Sequence, residues 1–142
     1  MYRHILITLD NGPVDNAVVK HIQPLARLAG ARLTLIHVAD GFMARNQANL
    51  GESLEMQQDR AYLEGRQQEM TKEGFAVTAV LACGDPVKEI LAFAQSNQVD
   101  LIAMAGHGHR FLADLILGSV SSELRHKSTI PILMVPTTAS TA

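Results

Sequence analysis

The chain has 142 residues, enough for one domain with one core, and 47% of them are hydrophobic, too many for a disordered chain. A net charge of −2 and a pI near 6.3 exclude the broad basic field that would draw in nucleic acid or anionic lipid. The single cysteine, Cys83, allows no internal disulfide and fits a reducing compartment; with no apolar run long enough to span a bilayer and no signal-like start, a cytoplasmic protein is expected.

Short apolar runs alternate with longer amphipathic ones. Residues 2–9 (YRHILITL) predict a strand, and Asp10-Asn11-Gly12-Pro13 a turn whose proline suits the first turn of a helix. Val14 to Ala29 follows helical spacing, with Ala17, Val18, His21, Ile22, Leu25, Leu28 and Ala29 inward and Gly30 as the stop. A second strand is expected over 31–38. The irregular stretch 39–54 is long for a compact domain, and loops of that length are usually functional or mobile. A helix over 53–72 would place Met56, Ala61, Leu63, Gln67 and Met70 inward, ending at Gly74. Its charges, among them Asp59 and Arg66, read as a solvated face, and its methionines as packing. A third strand covers 75–82. Asp85 as N-cap and Pro86 in the first turn open a helix with Val87, Ile90, Leu91 and Ala94 inward. A strand over 100–105, a helix from 111 or 112 to about 125, a strand over 130–135 and a frayed tail over 137–142 complete the chain.

Five strands separated by helices predict a parallel α/β sheet covered on both faces. Ligands of such sheets bind beyond the carboxyl ends of the strands, where strand order reverses. Asp10, Val38 and the stretch 106–109 would meet there if the first and fourth strands are neighbours.

The stretch Ala105-Gly106-His107-Gly108, followed after nine residues by Gly118-Ser119-Val120-Ser121, supplies two small-residue turns around one helical segment. Glycine lets backbone N–H groups approach phosphate oxygens, and a helix N-terminus adds unpaired donors; Ser119 and Ser121 add hydroxyls. The same glycines would equally serve as a helix cap at Gly108 and a close packing point at Gly118, and on these residues alone both readings stand. No Gly-Lys-Ser/Thr follows, so this is not a Walker loop, and Arg110 is the only basic side chain within it. His107 and His109 lie on one turn but do not make a zinc site, which needs three or four ligands; His37, at a strand end, is the other histidine able to approach the crevice. Cys83 lacks a local base and reads as a buried or half-buried thiol rather than a nucleophile.

The run MAGHGHRFLADLILGSVSSELRHKSTIPILMV resembles the C-terminal signature of universal stress protein domains, whose ATP-binding members carry Gly-x-x-Gly, nine residues, then Gly followed by Ser or Thr. Gly108, Gly118 and Ser119 match; Ala105 stands in place of the first glycine. ILITLD ending in Asp10, LTLIHV ending in Val38, the Gly84-Asp85-Pro86 helix start and the closing ILMVP extend the resemblance over the whole chain. It implies a single Rossmann-like domain with a five-stranded parallel sheet of order 3-2-1-4-5. It implies ATP with Mg²⁺ as ligand, with Asp10 at the ribose or a metal-bound water and Val38 at the adenine, near Thr8 and Met104. Gly108, His109, Gly118, Ser119, Val120 and Ser121 would hold phosphates beside Ala105. If the Ala105 position required a positive φ, alanine there would cost about 1 kcal/mol.

The expected role is that of a nucleotide-responsive regulatory module in stress response, not an enzyme, since no fixed base or arginine finger is available for hydrolysis. Two alternatives are a dimeric stress protein that works by protein contact without ATP, and a binder of AMP or cyclic AMP. The resemblance also implies a homodimer through strand 130–135, an apolar edge bounded by Pro131 and Pro136, and an unidentified regulatory protein partner.

Overall fold

The computed structural model describes residues 1–40, 54–106 and 120–137. Strands β1 (His4–Thr8), β2 (Arg32–Asp40), β3 (Val77–Gly84), β4 (Leu101–Ala105) and β5 (Ile132–Val135) form one parallel sheet of order β3-β2-β1-β4-β5. Helices α1 (Asp15–Ala29), α2 (Leu54–Lys72), α3 (Pro86–Ser96) and α4, described over 120–127, connect them. This is the Rossmann-like α/β architecture and strand order expected above.

Side chains alternate across each strand, so the sheet has two apolar faces. Ile5, Ile7, Leu33, Leu35, Leu101 and Ala103 pack with Val18, Val19, Ile22 and Ala26 of α1 and with Leu63 and Met70 of α2. Leu6, Ile36, Ile102 and Met104 pack on the other face with Val87, Ile90 and Ala94 of α3 and Leu124 of α4. The chain moves outward from β1 to β3 on the first layer, then returns to β4 and on to β5 through the second. Strand order therefore reverses between β1 and β4.

Local chemistry sets most element ends as expected. Asp85 accepts the Lys88 N–H at 2.9 Å and Pro86 opens α3. Gly30 closes α1 at φ +67°, and Gly74 follows α2 at φ +98°.

The inner face of α1 differs from the spacing estimate. Asp15, Val18, Val19, Ile22 and Ala26 are buried, whereas His21 is exposed and Leu28 is 89% exposed. Val18 and Ile22 are buried and Leu25 and Ala29 pack against them as the spacing predicts; the departures are Asp15, Val19 and Ala26, which join the buried face, and His21 and Leu28, which leave it. Pro13 lies in the turn before α1, not in its first turn. Strands β2 and β3 run two residues beyond the expected ends, and Ala61 of α2 faces solvent. Cys83 is exposed, contrary to expectation, because it sits next to the end of edge strand β3, with a partner strand on one side only. Most of the 39–54 stretch lies outside the described residues; Ala39 and Asp40 belong to β2 and Leu54 to α2.

Candidate functional site

Three adjacent strands, the start of α3 and Val120 of α4 converge above the β1/β4 reversal. They enclose a cavity of about 190 Å³ lined by Thr8, Leu9 and Asp10 after β1, Ile36, His37 and Val38 of β2, and Met104 of β4. Pro86 and Ile90 of α3 and Val120 of α4 also line it among the described residues. The lower wall is apolar because Ile36, Val38, Ile90, Met104 and Val120 all belong to the α3/α4 layer. The polar groups lie at the rim.

Thr8, Asp10, Val38, Met104 and Val120 are thus brought together from separate parts of the chain. Ser121 of α4 is buried but is not among the described lining residues. Gly108, His109, Gly118 and Ser119 lie outside the described residues, as do His107 and Arg110.

Ala105 ends β4 opposite Val135, and its side chain packs with the α1/α2 layer, away from the cavity. Among the described residues only Asn11 and Gln98 combine a side chain with a positive φ, so Ala105 carries no backbone cost. The close approach falls one residue later. Gly106 N–H donates to the Val135 carbonyl at 2.6 Å, and a Cβ on Gly106 would stand 3.3 Å from that oxygen.

Asp10 occupies the rim in contact with solvent. Desolvation by the surrounding protein, and secondly the Asp15 carboxylate, push its pKa above the usual aspartate range; His37 opposes this. Its backbone N–H donates to Asp15 Oδ1 at 2.8 Å. His37 donates from Nδ1 to the Leu9 carbonyl at 2.9 Å, which places its Nε2 3.5 Å from Asp59 Oδ2 on α2. Asn11, at φ +57°, donates from Nδ2 to Asp59 Oδ1 at 3.0 Å.

The residues this site adds to the sequence reading are Leu9, Ile36, Pro86 and Ile90 in the wall, and Asp15, Asp59 and Tyr62 behind the rim. The wall residues read as ordinary core and cap positions. Asp59 read as one charge of a solvated face, yet it is half-buried against Asn11 and His37.

A doubly wound parallel sheet with a cavity at its order reversal defines a Rossmann-like ligand-site architecture. The chain matches the Universal stress protein family over residues 1–136 and belongs to that family. It is 27% identical to universal stress protein MJ0577 of Methanocaldococcus jannaschii over 154 aligned positions, covering 95% of each chain. The solved structure of MJ0577 superposes with a TM-score of 0.80 at 28% identity, covering 96% of this chain and 97% of that one. A universal stress protein of Archaeoglobus fulgidus in complex with dAMP shares the fold at TM-score 0.70 and 21% identity, covering 94% and 98%. A universal stress protein in complex with cAMP does so at 0.70 and 18%, covering 95% and 97%.

Proposed function

We propose that this universal stress protein is a single-domain, nucleotide-responsive regulatory module that binds ATP with Mg²⁺ in the cavity above β1 and β4. The observation that carries the reading is the convergence of Thr8, Asp10, Val38, Met104 and Val120 on that cavity. Its apolar wall suits a flat base, and Asp10 supplies an acceptor at the rim for ribose hydroxyls or a metal-bound water. About 190 Å³ is smaller than the roughly 300–1,000 Å³ of sites that bury a drug-sized ligand. The base end would enter, while the phosphates extend along the stretch that carries Gly108, His109, Gly118, Ser119, Val120 and Ser121. Mg²⁺ would arrive with the phosphates, whose charge it offsets. The reading is one of binding with little or no hydrolysis, in the cytoplasm.

Calorimetric titration of nucleotide-free protein with ATP plus Mg²⁺, ADP, AMP and cyclic AMP tests this. ATP is expected to bind with Kd on the order of 10 μM or tighter. Val38→Phe, which fills the apolar wall, is expected to weaken it at least hundredfold with the fold retained. A second reading, a receptor for AMP or cyclic AMP, draws on the same base-sized cavity and on the relatives in complex with dAMP and cAMP. Tighter binding of a monophosphate than of ATP would select it. Absence of binding by all four would leave a stress protein acting through protein contact.

The same proposal includes a homodimer through β5. Ile132, Leu133 and Met134 of this edge strand are only half-buried, and an apolar edge invites pairing with a second copy. Sedimentation equilibrium at micromolar concentration is expected to give twice the 15.4 kDa chain mass. A mass of one chain would remove this part of the proposal.

A further inference from the structure

We infer that Asp15 is a positioning residue of the pocket: its buried carboxylate fixes the turn that presents Asp10, and Tyr62 ties that carboxylate to α2. The inference deepens the nucleotide-site reading and rests on it for its functional consequence.

An aspartate in the first turn of a helix ordinarily faces solvent and complements the helix dipole. Asp15 does neither in the usual way. It is 1% exposed, and both its oxygens turn back to the chain that precedes the helix. Oδ1 accepts the Asp10 N–H at 2.8 Å. Oδ2 accepts the Gly12 N–H at 3.2 Å and the Tyr62 hydroxyl at 2.8 Å. A buried carboxylate persists only where donors replace its water, and here the donors come from the turn itself and from α2.

A second set of contacts closes the same turn from the other side. Asn11 donates to Asp59, Asp59 faces His37, and His37 donates to the Leu9 carbonyl. Residues 9–12 are therefore held at Leu9 O, Asp10 N, the Asn11 side chain and Gly12 N. Arg66 completes the α2 side, donating from Nε to the Tyr62 hydroxyl at 3.1 Å and from its other end to Asn16 Oδ1. Asp59, Tyr62 and Arg66 are spaced three and four residues apart, so one helix face makes all of these contacts.

Two consequences follow for Asp10. Its backbone N–H is held by the Asp15 acceptor, and its pKa is raised first by burial and then by the Asp15 carboxylate, with His37 in opposition. Asp15 thus holds the turn that carries the rim carboxyl and adds to the burial that makes this carboxyl harder to ionise.

The test compares wild type with Asp15→Ala and Asp15→Asn by NMR. In Asp15→Ala the Asp10 and Gly12 amides are expected to exchange at least tenfold faster, with those of Ile7 and Leu35 unchanged as fold controls. In Asp15→Asn, which removes the charge and keeps one acceptor, Asp10 is expected to titrate at lower pH than in wild type. AMP affinity is expected to fall at least tenfold in Asp15→Ala and to recover in part in Asp15→Asn. Unchanged exchange at Asp10 and Gly12, or an unmoved Asp10 titration, would overturn the inference and leave Asp15 as a core polar residue only. If Asp15→Ala does not fold, Tyr62→Phe removes one donor while leaving the carboxylate. Faster Gly12 exchange supports the inference there, and unchanged exchange overturns it. If wild type binds neither AMP nor ATP, the nucleotide reading fails, while exchange and titration still decide the role of Asp15.

Discussion

Ile36→Ala is expected to lower stability by about 2–5 kcal/mol, the range for truncating a buried Leu or Ile. Ile36 is 1% exposed on β2, which lies between β1 and β3, and belongs to the apolar layer formed with Leu6, Ile90 and Met104. It is also part of the cavity wall. The void left by its side chain would open onto the existing cavity, so collapse of the surroundings recovers little of the loss. For a chain of this size, roughly 3–5 °C of melting temperature accompanies each kcal/mol, which puts the expected drop between about 6 and 25 °C. Leu35→Ala is the control: Leu35 is equally buried one residue earlier but faces the α1/α2 layer. Both variants are expected to show similar losses in chemical denaturation, and only Ile36→Ala to change nucleotide affinity as well. A loss below about 1 kcal/mol for Ile36→Ala would contradict the packing of the α3 layer against β2.

Acidification is expected to destabilise the protein through His4, at the opposite end of the sheet. His4 is buried, accepting at Nε2 from the Thr34 hydroxyl at 2.7 Å and donating at Nδ1 to the Asn97 carbonyl at 3.0 Å. Thr34 in turn lies 2.9 Å from the Thr78 hydroxyl. Burial lowers the His4 pKa below its ordinary 6.5, assisted by Arg32 and opposed by the Asn97 hydrogen bond and Asp100. The folded state therefore favours neutral imidazole. Its contribution is fully present above the unfolded value near 6.5 and is lost as pH falls through the lower folded value. Thermal melts from pH 7.5 to 4.5 are expected to show stability falling below about pH 6.5. His4→Phe is expected to cost about 1–3 kcal/mol at pH 7.5, because the ring's hydrogen bonds to Thr34 and to the Asn97 carbonyl are lost, and to reduce the acid-dependent fall. An undiminished fall in the variant would assign the effect to other groups.

Much of the architecture was legible in local signals. Apolar runs at 2–9, 31–38, 75–82, 100–105 and 130–135 locate all five strands, and the Asp85-Pro86 pair locates the start of α3 with its capping bond. The approach of Asp10 and Val38 followed once β1 and β4 were taken as neighbours, whereas Thr8 and Met104 were named only through the family resemblance. Other features were not legible because their causes lie far away in the chain. Leu28 has the spacing of the α1 apolar stripe, yet is 89% exposed, while Val18, Ile22, Leu25 and Ala29 of that stripe pack on the sheet. Asp59, Tyr62 and Arg66 have the periodicity of a solvated helix face, and only contacts with residues 47–50 positions earlier give them a role.

The sequence by itself determined the alternation of strands and helices, and with it a parallel sheet buried on both faces. Helical and strand periodicity, helix caps and glycine stops act over a few residues and are written there. Only the tertiary structure decided which side chains close the cavity, which carboxylate stands behind Asp10, and that the Ala105 side chain points away from the site. Each of these depends on register between strands and on hydrogen bonds between residues distant in sequence, where burial makes an unpaired polar group costly and so selects a partner that local pattern does not specify.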